Sequence, residues 1–518
     1  MPETISAAKP VSEAGLDDAS FLPSPKQFFI LLLIYFGLHL LFRTLVSEAA
    51  GIDEAYQLVL GEKFKWGYGP HAPLYTWLMI LFLHVFGWSE FSLTLLRELL
   101  LFGTYTLTYF NARELTRSHA CGILAAIALQ FHPTLVWESQ RELTNSIVAS
   151  TMVLATLLAF LRIRPDRWGA WIAFGFFGGL TLLSKYNAGI FYGAMLLAAI
   201  SIPELRRRVF NRRLAVALLV SVAVVAPNAF WAYAHRDLTL SLTYKFGIHE
   251  SMPWLKSVRI GLIHWIVAVA AHVAPVIAVF AVILWRPVFV QRCLRLHSEK
   301  ERFLWRTLLF VFGIGIVVVL FKVTEFRDRW LQPLFVAIPI FIVGAVRDAL
   351  NLPRLRTLGL LAATASCVVV ILAPGRLYLT EWRTAKRGAH DALNAPFRKF
   401  AADLKTRAEN ADFILSGSYW VGGNLRLWFP DKHIFSPGPG LAPLDINFPG
   451  QKCLIVWNAD QRTVPPQELI EFANAFTGSD EKLTPTFIEE KWKYHQNKMM
   501  RLGVLLLERK VSNAGGQK

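Results

Sequence analysis

Between residues 27 and 374 the chain repeats one pattern: a long apolar run, a short polar loop, then another apolar run. A helix needs about 20 apolar residues to cross a bilayer. Eleven runs come close to or exceed that length: 27–46, 91–110, 120–137, 143–161, 168–184, 187–203, 214–234, 258–285, 307–321, 330–346 and 357–374. No single soluble core accommodates so many unbroken apolar helices, so the pattern predicts a polytopic α-helical membrane protein. The apolar fraction of 54% agrees. Residues 1–26 are polar and form a short tail. The apolar stretch from Phe28 to Leu41 has no small-residue cleavage site after it, so 27–46 reads as a retained first span and not as a signal peptide.

Charge distribution sets the topology. A net charge of +17 raises nucleic-acid binding as one possible function. The excess, however, lies in short loops between spans, such as Arg206-Arg207-Arg208 followed by Arg212-Arg213. That placement is a positive-inside signal and argues against a nucleic-acid partner. The apolar stretch 73–87 has 15 residues, short for a crossing. If it stays on one side, loops 111–119, 162–167, 204–213, 286–306 and 347–356 share a face and carry 19 Lys and Arg. Segments 47–72, 138–142, 185–186, 235–257 and 322–329 share the other face and carry 10 over a greater length. The first set is then cytoplasmic, 73–87 lies along the surface or re-enters, and the C-terminus is outside.

This gives a cytoplasmic tail (1–26), a membrane domain (27–375) with a large first outer loop (47–90), and a separate soluble domain (376–518). In the last, Phe413-Ile414-Leu415, Cys453-Leu454-Ile455-Val456 and Val504-Leu505-Leu506-Leu507 are short and strand-like. Helical patterns such as 466–476 lie between them. The alternation predicts a small α/β domain with a partly parallel sheet. Four scattered cysteines without a CxxC pair suggest neither a zinc site nor a disulfide framework.

The outer face collects the candidate chemistry. Asp53 and Glu54 follow the first span directly, and Trp66-Gly67-Tyr68-Gly69-Pro70-His71-Ala72-Pro73-Leu74 leads into the next apolar stretch. Charged groups beside a bilayer are costly unless they face water, a partner or a substrate. Glu138, Arg141, Glu142, Lys185, His249, Glu250, Arg327 and Arg329 fall on the same face. Each has an ordinary structural reading beside the functional one: a helix cap for Asp53, a local ion pair for Glu142 with Arg141 and for the arginines with Asp328, a snorkelling ammonium for Lys185.

The order of these elements resembles the GT-C glycosyltransferases of the protein O-mannosyltransferase and aminoarabinose-transferase superfamily. That group has an Asp-Glu pair after its first helix, here Asp53-Glu54, and then a Pro-Pro-Leu element, here His71-Ala72-Pro73-Leu74. Leu183-Ser184-Lys185-Tyr186 resembles its Ser-Lys-Tyr element. Arg141-Glu142-Leu143-Thr144 takes the place of its second acidic loop. Arg327-Asp328-Arg329-Trp330-Leu331-Gln332-Pro333 resembles its Arg-Tyr-Leu-x-Pro element. The likeness spans about residues 27–346 and is greatest to bacterial members, which include lipopolysaccharide-modifying transferases.

The resemblance implies a GT-C fold of about 11 transmembrane helices with juxtamembrane helices. It also implies a polyprenyl-phosphate-linked sugar donor, an outward-facing site and transfer with inversion. The acceptor it implies is lipid A, lipopolysaccharide core or a related envelope glycan. Asp53 maps onto the catalytic carboxylate, with Glu142 as second acid. Lys185, Arg327 and Arg329 are candidates for the donor phosphate, and Glu54, Tyr68, His71 and Arg141 for other substrate contacts. The chain departs from the aminoarabinose transferases where they carry Glu-Lys-Pro-Pro. Here Pro70-His71-Ala72-Pro73 lacks the lysine. No cofactor is called for, and His71 with His249-Glu250 makes no close ligand pattern, so a divalent metal stays open without support. The expected setting is the bacterial inner membrane, with the C-terminal domain in the periplasm and the protein a monomer. The alternative function is a transporter or flippase for a lipid-linked sugar. Paired halves and interrupted mid-span sites would mark it, and neither is visible in the sequence.

Overall fold

The computed structural model describes residues 22–509 except 143, 165, 249–250, 297, 380–391, 439–440, 442–448, 461, 479–483 and 496. His249 and Glu250 therefore lie outside the described residues, as does most of the N-terminal tail.

Among the described residues six helices are long and apolar enough to cross a membrane. They are α1 (Pro25–Val46), α6 (Thr144–Leu161), α9 (Arg212–Ala234), α10 (Trp254–Leu284), α11 (Glu299–Leu320) and α14 (Leu352–Tyr378). Three helix pairs pass the same test together but bend sharply at a break. His119–Phe131 with Pro133–Gln140 bends by 83°, Tyr186–Ser201 with Pro203–Val209 by 111°, and Asp328–Phe335 with Ile338–Ala349 by 43°. The sequence reading carried the runs 120–137 and 330–346 across the first and third breaks and ended the run 187–203 at the second. In the first two, proline occupies the opening turn of the second helix, where its missing N–H costs nothing, and it cannot continue the helix before it. The principal helices of the pairs are α5 (His119–Ala128), α8 (Gly189–Ser201), α12 (Asp328–Phe335) and α13 (Ile338–Val346). Two more helices pack into the bundle. Helix α4 (Glu90–Thr116) has 27 residues, but Arg97 and Glu98 interrupt its apolar surface; α7 (Trp168–Ser184) has 17.

Helix α2 (Ile52–Leu60) and helix α3 (Leu74–Phe86) are shorter. With 13 residues, α3 rises about 20 Å, well short of the roughly 30 Å hydrocarbon core.

The two loop sets separated by the charge count gather at opposite ends of the bundle. At one end, Glu114 pairs with both Arg162 and Lys300, Arg208 with Glu299, and Arg347 with Glu301. At the other, Gln57 donates to Asn145, Asn145 to the Ala72 carbonyl, and Lys185 to the Arg329 carbonyl. Helix α6 joins the two ends.

The C-terminal part sits over the second end. Its five strands are β1 (Phe413–Ser416), β2 (His433–Phe435), β3 (Lys452–Asn458), β4 (Thr486–Lys491) and β5 (Met499–Glu508). They run in the order β2-β1-β3-β5-β4. The first two pairings are parallel and the last two antiparallel. Alternate residues of each strand face opposite sides. Ile414, Leu454 and Val456 pack with Phe400, Leu404 and Leu425 of helices α15 (Phe397–Glu409) and α16 (Tyr419–Trp428). Phe413, Leu415 and Ile455 pack with Leu469, Phe472 and Phe476 of α17 (Gln467–Thr477) on the other face.

Candidate active site

Helix α2 begins at Gly51, a residue without a capping side chain. Glu54 reaches back instead, and its Oε2 accepts the Gly51 N–H at 2.9 Å. This fixes the first turn and presents Asp53 on the neighbouring face. Glu54 itself is 2% exposed and held by two arginines, Arg97 from α4 at 3.1 Å and Arg43 from α1 at 3.5 Å. Arg97 also pairs with Glu98 at 3.1 Å, and Gln140 donates to Glu98. Of the adjacent acids, then, Glu54 lies beneath the site as part of its foundation and is not placed to meet a substrate.

Asp53 is partly open, 27% exposed, with its Oδ2 3.5 Å from Arg329 Nη1. Arg329 lies in the first turn of α12. Its backbone carbonyl accepts from Lys185 Nζ at 2.6 Å and from Ser146 Oγ at 2.9 Å. Lys185 follows the last residue of α7 and also donates to Ser146 Oγ at 2.8 Å. An ammonium has three N–H donors, so one remains for a ligand. Burial pushes Lys185 down to about 7, Arg329 adds to the shift and Asp53 opposes it.

Glu142 comes close because the turn after Glu138–Gln140 packs on Gly51. A Cβ at residue 51 would stand 3.6 Å from Glu142 Cγ and 3.5 Å from the Arg141 carbonyl oxygen. Burial raises Glu142 to about 7, helped by Asp53 and Glu54 and opposed by Arg141 and Arg329. Arg141 turns to Glu138, 3.5 Å away. Arg327 is exposed at the N-cap of α12, with no ion-pair partner among the described residues.

The remaining two sequence candidates divide. Tyr68 is 3% exposed, and its hydroxyl is held by the Lys65 N–H and the Lys63 carbonyl, so it frames the first loop. His71 is half-buried against the Tyr56 ring, centroids 5.2 Å apart. Burial, then Lys245, Lys185 and Arg329, lower it to about 4. It is neutral at pH 7 and does not restore the cation lacking from the Pro70-His71-Ala72-Pro73 element. Among the described residues no group of three or more His, Cys, Asp or Glu is placed to hold a metal ion.

Two contributors escaped the sequence reading. Lys245 joins the cationic side because Thr324 and Glu325 donate their N–H groups to the Phe246 carbonyl, at 3.1 and 3.2 Å. That strand-like contact lays residues 243–246 along the loop before Arg327. Burial lowers the Lys245 ammonium, and Arg329 and Arg327 lower it further. The second is Tyr419, the first residue of α16. Its ring meets Tyr56 edge-on at 5.2 Å. Burial raises its hydroxyl, with Asp53 and Glu142 adding to the shift. The C-terminal part therefore supplies a wall of the site.

The dock is specific. Asn424 Oδ1 accepts the Ala50 N–H at 2.8 Å and its Nδ2 donates to the Ala50 carbonyl at 3.2 Å. At Gly423 any Cβ would overlap the Ala55 carbonyl oxygen, so only glycine lets α16 lie so close to α2. Tyr494 donates to the Val46 carbonyl at 2.9 Å, and Arg398 pairs with Glu48 at 3.0 Å.

A helix bundle with carboxylates and cations converging at one end, roofed by a small α/β unit, is a fold that solved membrane-protein structures share. A crystal structure of ArnT from Cupriavidus metallidurans bound to undecaprenyl phosphate shares the fold, with a TM-score of 0.60 over 96% of this chain and all of that one, at 12% identity. Its apo form gives 0.58. Residues 70–231 match the family model described as dolichyl-phosphate-mannose-protein mannosyltransferase. Two curated relatives are lipopolysaccharide core galacturonosyltransferases of Rhizobium johnstonii. RgtB is 29% identical over 87% of this chain and 91% of its own length; RgtA is 28% identical over 87% and 90%.

Proposed function

We propose that the protein transfers one sugar, a galacturonic acid residue, from a polyprenyl-phosphate carrier to the lipopolysaccharide core at the periplasmic face of the inner membrane. The observation that carries this reading is the meeting of Asp53 with Arg329 and Lys185, groups far apart in sequence. In the reaction an acceptor hydroxyl oxygen attacks the anomeric carbon from the face opposite the phosphate. The bond from that carbon to the phosphate oxygen breaks, the electron pair leaves with polyprenyl phosphate, and the configuration inverts. Asp53 takes the hydroxyl proton as general base. Arg329 and Lys185 meet the phosphate as its charge grows, where fixed donors lower the barrier most. Arg329 exchanges Asp53 for phosphate when donor binds, freeing the base.

The sugar follows from charge and from the relatives. Lys185, Lys245, Arg327 and Arg329 surround two carboxylates, more cationic charge than one phosphodiester requires. A uronate carboxylate uses the surplus, and the two curated relatives carry galacturonosyltransferase names. Bond transfer accounts for a base at the membrane surface, which a flippase does not need. The periplasmic placement rests on the basic loops at the far end.

The test is mass spectrometry of lipopolysaccharide from cells with and without the gene. Expected is a core lacking one hexuronic acid, restored by complementation. Loss of a neutral or amino sugar would overturn the sugar assignment, and an unchanged core the whole reading.

Donor binding should also depend on pH. A phosphodiester favours the charged form of Lys185, so binding takes up a proton once the empty-site ammonium begins to titrate, at about 7. Ionisation of Glu142 in the same range adds opposing negative charge. Both effects weaken binding as pH rises, by up to about tenfold per unit for each proton linked. Donor affinity measured from pH 6 to 9 should fall above 7, and Lys185→Arg, permanently charged, should flatten the curve. A flat wild-type profile would remove Lys185 from the phosphate site.

A further inference from the structure

At the end of the bundle away from Asp53, two adjoining cavities of about 760 and 440 Å³ share a wall of Glu114, Arg117, Arg162 and Arg164. Helix α6 separates them from the active site. It starts two residues after Glu142 and ends at Leu161 in the larger cavity, about 27 Å away for its 18 residues. The larger cavity also takes in Arg167, Arg208 and Lys300, with Glu299 the only other acid.

The two acids are already engaged. Glu114 pairs with Lys300 at 2.7 Å and with Arg162 at 3.6 Å, and Glu299 with Arg208 at 2.8 Å. Arg117, Arg164 and Arg167 have no ion-pair partner among the described residues, and all three line the space. The rest of the lining is apolar: Phe160, Leu161, Ile163, Leu205, Val209 and Phe303.

Arg117 adds a second clue. It ends α4 in left-handed backbone, φ +59°, where helices ordinarily place glycine. An arginine there accepts backbone strain and places a guanidinium at the cavity. A positive-inside bias accounts for cations at this face, yet scattered surface charge would satisfy it. It does not account for a preformed hollow with unpaired guanidinium groups above an apolar floor.

We propose that this cavity binds the phosphate of an anionic phospholipid from the leaflet opposite the active site. Arg117, Arg164 and Arg167 grip the phosphate oxygens through paired N–H donors, and an acyl chain lies along Ile163 and Ala170, the accessible apolar lining. Basic pockets between membrane helices suit such headgroups. The ligand chemistry is an oxyanion of phosphorus, which inorganic phosphate shares, so the experiment separates the two sources. The site does not depend on the sugar or acceptor proposed above.

The test uses the full-length protein delipidated in neutral detergent. Lipid retention by native mass spectrometry and thermal stability are followed on adding cardiolipin, phosphatidylglycerol, phosphatidylcholine or inorganic phosphate. Anionic lipids should bind at least about tenfold more tightly than phosphatidylcholine. Arg164→Gln with Arg167→Gln should abolish most of that preference. Arg117→Gly should weaken it too, and because it relieves left-handed strain its loss of binding cannot be put down to misfolding. Transferase turnover in lipid-free detergent should match wild type in both variants. Equal binding of anionic and zwitterionic lipids, or a preference unchanged in both variants, would overturn the proposal. Tight binding of inorganic phosphate without any lipid preference would overturn the lipid as the source.

Discussion

Asp53→Asn is expected to reach the membrane at wild-type levels, unfold at a wild-type temperature, and lose about 10²- to 10⁴-fold in sugar transfer, the usual contribution of a positioned general base. The side chain keeps its size and loses its proton affinity. Its ion pair with Arg329, at 3.5 Å, is partly solvent-exposed on both sides, 27% and 36%. Exposed pairs of this kind contribute about 0–1 kcal/mol, so stability has little to lose. Donor affinity should hold or improve, since Arg329 no longer has a carboxylate to leave. The measurement is kcat and donor KM of purified protein, beside restoration of the lipopolysaccharide core in deleted cells. Full restoration by Asp53→Asn would move the base role elsewhere, with Glu142 first in line.

Glu54→Gln should behave in the opposite way. Arg43 and Arg97 reach its carboxylate inside the bundle with side-chain exposures of only 7% and 4%. Removing one partner of a buried charge set costs about 3–5 kcal/mol, because the cations left behind are uncompensated. Arg97 keeps Glu98, and Arg43 keeps the Ala49 carbonyl at 2.8 Å, which places the cost toward the lower end. Folded yield and unfolding temperature should drop clearly. The protein that does fold should show a donor KM near wild type, because Glu54 is buried against Arg43 and Arg97 beneath the site. An unchanged unfolding temperature would show that the pair is not structural. Two neighbours in sequence thus separate into chemistry and scaffold, and one pair of substitutions tells them apart.

The bundle was legible because a bilayer imposes a length of its own, and each apolar run of that length stands out against its loops. The sorting of loops into two ends followed from counting cations, since short basic loops resist transfer across the membrane. Asp53, Glu142, Lys185, Arg327 and Arg329 were readable as costly charges beside apolar spans. The missed foundation carried the same signal. Arg97-Glu98 stands within the expected span 91–110, but the apolar average around it concealed the pair. The bends were foreshadowed by Pro133 and Pro203, which the run lengths absorbed. Lys245 and Tyr419 had no local mark. Lys245 reaches the site through a backbone contact with a loop about 80 residues later, and Tyr419 through a docked helix of the C-terminal part. Neither arrangement has a period or a motif.

The clasp of Asn424 around the Ala50 backbone ties the fate of the two halves together. Grafting the C-terminal part of one relative onto the membrane bundle of another would also disturb the start of α2, which carries Asp53. Helix α2 and helix α16 thus interlock across some 360 residues of intervening chain, and exchanging one without the other would break that contact.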